Sequence, residues 1–350
     1  MRAIYFEKFN GPVIIKDLPI PAPSPQGCVI KVEATGICRS DWHGYVGHDS
    51  DIKLPHVPGH EFAGTIFAVG GGVKNFNLNQ RVTVPFVNGC SSCQYCTSGN
   101  AQVCPQQTQA GFTHFGSFAE YVKIENADFN LVNLPDQIDF NSAAALGCRF
   151  ATSYRGLIDR AKLKSGDTVA IYGCGGIGLS ALIIAKAMGA KVICVDINER
   201  ILEKAKALNA DYLINSKKVE PIDQIHQITQ GNGVDISIDA LGSEQTANQS
   251  VLSLKRGGKH LQLGLLLTPS SNTPMPMARV IAYELDILGS HGMSAVDYPK
   301  LLSFCLDKKI DLNSLIADCF PLEDGPELLE NLDKTAIAGV NILNPSKAFI

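Results

Sequence analysis

Several features are scarce in this chain. Charged residues make up 18% of its 350 residues, the formal net charge is −4, and no run of Lys or Arg occurs. Such a chain carries no electrostatic footprint for nucleic acid. Long apolar runs are missing too: "LSALIIAKAMGA" is broken by Lys and Gly well short of a membrane span. The opening "MRAIYFEKFN" holds no uninterrupted apolar segment of signal-peptide length. A cytoplasmic protein with no membrane partner is therefore expected. Internal repeats and low-complexity segments are absent, and 45% hydrophobic residues describe a globular protein with room for two domains. Cysteine breaks the pattern of scarcity. Four of the eleven crowd into one short segment, which in a large intracellular chain points to metal rather than disulfides.

The first 145 or so residues are short β-like runs punctuated by Gly and Pro, such as "RAIYF", "VIIKDL", "CVIKVEATG", "FAGTIFAVG", "RVTVPF" and "FAEYVKI". That texture predicts an irregular β domain of barrel type. It changes near Gly166. Strand candidates "TVAIYG", "AKVICVD", "DYLIN", "VDISIDAL", "GKHLQLGL" and "LDILGSH" then alternate with helix candidates at Gly176 to Met188, Glu199 to Leu208 and Gln245 to Leu254. The alternation predicts a doubly wound parallel sheet. After Ser290 comes a helical stretch and a closing "GVNIL", a strand with no obvious place in a finished six-strand sheet. Its return to the N-terminal domain gives expected domains of 1–149 with 290–350, and 150–289.

Two motifs carry chemistry on their own. In "GCSSCQYCTSGNAQVCP" the spacing C-x2-C-x2-C-x7-C joins Cys90, Cys93, Cys96 and Cys104. Four thiolates on a tight loop can close a tetrahedral shell around a structural zinc. An iron–sulfur cluster is the rival, since the first three cysteines and the Cys-Pro ending echo a ferredoxin run. The last gap, however, is seven residues rather than three. In "TVAIYGCGGIGLSALIIAKAMGAKVICVD", Gly173, Gly175 and Gly178 fit G-x-G-x-x-G between a strand and an apolar helix. The glycines allow a tight turn, close approach of a pyrophosphate and close helix–strand packing. Asp196 ends the next strand, where a carboxylate accepts the ribose hydroxyls of NAD and repels the extra phosphate of NADP.

A third set is dispersed: Cys38 in "TGICRSDWHGYVG", His60 and Glu61 in "VPGHEFAG", and Cys148 in "LGCRFATSY". Together with the two motifs, these residues resemble the zinc-dependent medium-chain alcohol dehydrogenase family over essentially the whole chain. The resemblance implies a Rossmann domain with a GroES-like catalytic domain, NAD, and two zinc ions per chain. It implies catalytic zinc ligands Cys38, His60 and Cys148, and a reversible oxidation of primary or secondary alcohols to aldehydes or ketones. Ser40 would bond the substrate oxygen and pass its proton by way of the cofactor ribose to His43. Asp41 would orient His60, and Glu61 would approach the metal from behind during ligand exchange. Arg39 would meet the cofactor pyrophosphate and Thr152 the nicotinamide. Phe86 would line the substrate cleft, and Trp42 would narrow it or simply pack. A homo-oligomer, dimer or tetramer, is expected by resemblance only. The related alternatives are a zinc dehydrogenase of a polyol or amino-alcohol, although a polyol enzyme would usually place Glu where Cys148 stands, and a non-catalytic zinc- and nucleotide-binding protein.

Two positions depart from the family pattern. Val340 stands where an Arg often supports the pyrophosphate and the Glu behind the zinc, and Arg149 stands where Gly is common. Arg149 is expected either to supply the missing charge, to phosphate or to Glu61, or to pair with any nearby carboxylate.

Overall fold

The computed structural model describes residues 1–267, 270–334 and 337–346. The chain divides into two compact units, Met1–Ala151 with Gly292–Ile350, and Thr152–His291. In chain order the strands are β1 (Arg2–Tyr5), β2 (Ile14–Asp17), β3 (Cys28–Ile37), β4 (Glu61–Val69), β5 (Arg81–Thr83), β6 (Tyr121–Ile124) and β7 (Val132–Asn133). They continue with β8 (Thr168–Tyr172), β9 (Lys191–Asp196), β10 (Tyr212–Asn215), β11 (Val234–Asp239), β12 (Leu254–Gln262), β13 (Asp286–Gly289), β14 (Ile316–Pro321) and β15 (Val340–Asn344).

The first unit is built on β3. Its alternating residues Cys28, Ile30 and Val32 pack with Phe62, Ile66, Val82, Val122 and Ile124. Full burial of side chains this size contributes about 1.5–3 kcal/mol each. The sheet order is β14-β15-β3-β4-β5-β7, with β6 also pairing β3. Register shifts between Val29/Ile30 and Val32/Ala34 interrupt the β3–β4 ladder. Bulges of this kind re-aim side chains beside functional sites. Beyond them Ala34 to Ile37 are all buried, so the strand delivers the chain to Cys38 inside the protein. The closing "GVNIL" forms β15, antiparallel to β3.

In the second unit the strand order is β10-β9-β8-β11-β12-β13, every pairing parallel. Strands covered on both faces read as continuous apolar runs rather than alternating ones, as in the fully buried Val169–Ile171 and Val192–Cys194. The order reverses between β8 and β11, the place where such sheets receive a ligand. The sequence reading missed β14. It is an edge strand with Asp318 and Cys319 exposed, so it carries no clear alternation. Helices Pro221–Ile228 and Met277–Tyr283 also lie between strands; the second fully buries no residue, although Val280 and Tyr283 pack partly on the core.

Candidate metal centres and active site

The loop site is assembled locally. Cys90, Cys93, Cys96 and Cys104 bring their sulfurs within 4.8 Å of one another, with Cys90–Cys96 at 4.0 Å and Cys93–Cys104 at 3.6 Å. Tetrahedral zinc with bonds of about 2.3 Å sets sulfurs about 3.8 Å apart, whereas a cluster of several irons spreads its thiolates farther. The geometry therefore fits a single closed zinc ion. Backbone N–H groups of Cys93 and Gln106 donate to the Cys90 and Cys104 sulfurs at 3.4 and 3.3 Å. Such bonds from Ser92 and Cys93 lower the half-buried Cys90 thiol to about 6, while burial raises Cys96 to about 12.

The second centre is assembled by topology. Antiparallel pairing of Gly36 with Glu61 sets Cys38 and His60 just beyond the same end of the β3–β4 ladder. Cys38 then caps the helix Arg39–Tyr45, and Asp41 from that first turn becomes the hub. One Asp41 oxygen accepts the Cys38 N–H at 2.8 Å; the other accepts the Gly59 N–H at 3.1 Å and contacts His60 Nδ1 at 2.9 Å. With Nδ1 so engaged, His60 Nε2 is turned inward, buried and without a hydrogen-bond partner. Cys148 arrives from the helix Phe140–Ala145, which opens into a wider π-type turn over Leu146–Phe150. Turns of this kind recur at functional sites. A side chain on Gly147 would meet Glu61 Cα at 2.9 Å, so glycine is what lets this turn lie against β4. The Cys148 N–H then donates to Glu61 Oε1 at 2.9 Å.

The donor atoms of Cys38, His60, Glu61 and Cys148 lie within 4.8 Å of one another. A hydrogen bond from the Cys148 thiol holds Cys38 well below the ordinary thiol range, with Arg149 and His60 reinforcing it. Burial pushes His60 down, but Asp41 and Cys38 outweigh it and hold the ring well above the ordinary histidine range. Two sulfurs and an imidazole nitrogen with no other partner are a donor set suited to zinc. Glu61 is committed elsewhere: Arg149 pairs with it, both side chains being buried. Of the destinations expected for Arg149, the structure shows Glu61. Burial raises Glu61 above the usual carboxylate range, and the Arg149 charge opposes that rise.

Around this centre, Ser40 Oγ lies 3.7 Å from Cys38 Sγ. His43 Nδ1 lies 3.1 Å from His48 Nδ1. Burial, then the charges of Arg39 and His48, lower His43 below 6.5. Trp42 packs against the cluster of Ile4, Phe6, Ile37 and Tyr45, with its ring edge toward His43 and His48 at 5.1 and 5.9 Å. The exposed Arg39 guanidinium lies 5.4 Å from the same ring. The Phe86 ring is 6.0 Å from His60, and Phe112 is nearer, at 5.2 Å. Sequence reading missed Phe112 and His48. Neither belongs to a motif; folding brings Phe112 to His60, whereas His48 lies five residues after His43 and donates its N–H to His43 O at 2.9 Å.

In the second unit, Gly173 takes a left-handed φ of +88°, and a side chain on Gly178 would collide with Gly173 O at 2.0 Å. A side chain on Gly175 would meet nothing within 4 Å, so the turn opens onto free space. The helix Gly176–Ala187 has no side-chain cap. Its first amides are thus left for an anion such as a pyrophosphate. Asp196 accepts N–H bonds from Cys174 and Asn198 at 2.8 and 2.9 Å, which holds its carboxylate at the end of β9. Thr152 is buried, and its carbonyl accepts the Ser290 hydroxyl at 3.3 Å. No described helix is long and apolar enough to cross a membrane.

Comparison with known proteins places the chain in a family. Residues 24–136 match the alcohol dehydrogenase GroES-like domain, and residues 176–307 match the zinc-binding dehydrogenase domain. An NAD-dependent alcohol dehydrogenase of Sulfurisphaera tokodaii is 32% identical over 355 residues, covering 99% of this chain and 100% of the relative. A sorbitol dehydrogenase of Bacillus subtilis is 34% identical over 322 residues, covering 90% and 89%. Among solved structures, the alcohol dehydrogenase TADH from Thermus sp. ATN1 superposes with a TM-score of 0.90 at 28% identity, covering 98% of this chain and 99% of that one. The chain belongs to the zinc-dependent medium-chain alcohol dehydrogenase family.

Proposed function

We propose that this chain oxidises primary or secondary alcohols reversibly to aldehydes or ketones with NAD, at a metal centre held by Cys38, His60 and Cys148. The observation that carries the reading is the buried, unpartnered Nε2 of His60 facing two thiols. When bound, zinc supplies Lewis acidity to the substrate oxygen, and NAD accepts the hydride. Asp41 fixes the His60 ring so that Nε2 is directed among the thiols and would bind zinc on giving up its proton, the role that such partners play for metal ligands. Ser40 stands beside Cys38, takes the hydroxyl proton of the alcohol and releases its own into the relay that leads to His43. His43, kept neutral near pH 7 by its surroundings, takes that proton onward to solvent. Phe86, with Phe112, walls the His60 side of the site and favours an apolar carbinol substituent. Trp42 braces His43 from the core side. The glycine turn holds the pyrophosphate, Asp196 the adenosine ribose and Thr152 the nicotinamide, while Arg39 adds phosphate charge. Glu61 stands behind the metal donors.

The test is NADH formation at 340 nm with ethanol, longer alcohols, benzyl alcohol and sorbitol, each with NAD and NADP, on protein of measured zinc content. Turnover of simple alcohols with NAD supports the reading. The sorbitol dehydrogenase relative favours a second reading, a polyol substrate, and a preference for sorbitol would establish it. No turnover at two zinc per chain would favour a binding protein. We also propose a cytoplasmic homo-oligomer, dimer or tetramer, which light scattering on the purified protein tests for assembly.

A further inference from the structure

Four donors converge on the catalytic centre, yet a catalytic zinc site keeps one position open for substrate. Glu61 is close enough to be a fourth ligand. Both of its oxygens are otherwise engaged. Oε1 accepts the Cys148 N–H at 2.9 Å, the Arg149 N–H at 3.2 Å and Arg149 Nε at 3.3 Å. Oε2 accepts Arg149 Nη2, and the same nitrogen donates to Ile37 O at 2.9 Å. The fork is thus pinned at both ends, to the carboxylate and to the last residue of β3. On its other side the carboxylate lies against Gly36 and Val340: a side chain on Gly36 would meet Glu61 Oε2 at 3.0 Å and Val340 Cγ1 at 3.1 Å. Of the ion pairs among the described residues, Glu61 makes only the one with Arg149.

We propose that Arg149 is a latch that holds Glu61 out of the metal's ligand set and so keeps the fourth position free for the substrate. The inference rests on the catalytic-zinc reading above. A buried carboxylate stripped of its guanidinium must protonate or meet another cation, and Glu61 has an oxygen within 4.8 Å of the donor atoms of Cys38, His60 and Cys148, which would hold one. Arg149 is therefore a positioning residue, acting through Glu61.

The test uses the holoenzyme with cobalt(II) exchanged into the catalytic centre, with both metals counted per chain. In Arg149→Met the visible ligand-field bands shift as Glu61 enters the shell, and release of catalytic zinc to a chelator slows by about tenfold or more, the scale on which outer-shell partners move metal affinity. An arginine that merely supported the fold would give faster release instead. Arg149→Lys keeps the wild-type spectrum, and the double variant Arg149→Met with Glu61→Gln returns to it. Unshifted bands in Arg149→Met, or shifted bands persisting in the double variant, overturn the latch. Glu61→Gln alone decides if Arg149→Met does not fold: an unchanged spectrum supports the latch, and a shifted one shows that Glu61 is already a ligand. One metal per chain rather than two would overturn the zinc reading itself, and the latch with it.

Discussion

The two metal centres of the first unit reach the same end by opposite routes. Cys90 to Cys104 close four thiols on a single loop, braced by backbone amides and packed on Ala101 and Phe129. The other centre draws Cys38 from the end of β3, His60 from the start of β4 and Cys148 from a widened helical turn. A buried Asp41 ties the first two together. The loop site spends all four donors on the ion. The other leaves one carboxylate tied to an arginine, and this difference separates a structural site from a catalytic one.

The comparison breaks most sharply under substitution. His60→Ala should lower turnover by about a thousandfold or more, since a catalytic metal is worth several kcal/mol, while one zinc per chain remains; activity assays with metal analysis check this. Cys104→Ser should do the reverse. It loses the loop zinc and, at a cost of about 3 kcal/mol, lowers Tm by roughly 6–12 °C, while catalytic zinc and the turnover of folded protein persist. Calorimetry alongside kinetics separates the two outcomes.

His43→Gln should lower turnover about a hundredfold, with its effect read from the pH profile. Burial, with Arg39 and His48, lowers His43 below 6.5, and Cys38 opposes them. The neutral ring proposed above to accept the proton is therefore present at pH 7 and is lost as pH falls through the lowered pKa. Wild type should show an acid limb below pH 6.5, absent from the variant. The smallest of these effects is expected for Asp41→Asn, about tenfold in catalytic zinc affinity, with no change in the loop zinc. Equal loss from both sites would remove the distinction drawn between them.

Much of this was legible beforehand because the signals are local. The cysteine spacing and the glycine fingerprint each lie within a few turns of chain, and the apolar runs of β8, β9 and β11 announce a sheet covered on both faces. The dispersed ligands were assigned by family resemblance, since no spacing rule joins Cys38 to Cys148. The Arg149 contact was left open between phosphate and carboxylate, because an arginine's reach does not tell its partner. Phe112 and His48 gave no sign at all, as aromatic and imidazole side chains in loops carry no period.

The sequence by itself determined the two kinds of unit, the closed thiolate loop and the glycine turn, because short-range spacing and periodicity fix local geometry. Only the tertiary structure decided which donors stay free. The β3–β4 register and the glycine-cleared turn after Ala145 bring Glu61 under Cys148 and Arg149. In a buried site the arginine's partner follows from that packing, because an unpaired charge there is too costly to leave.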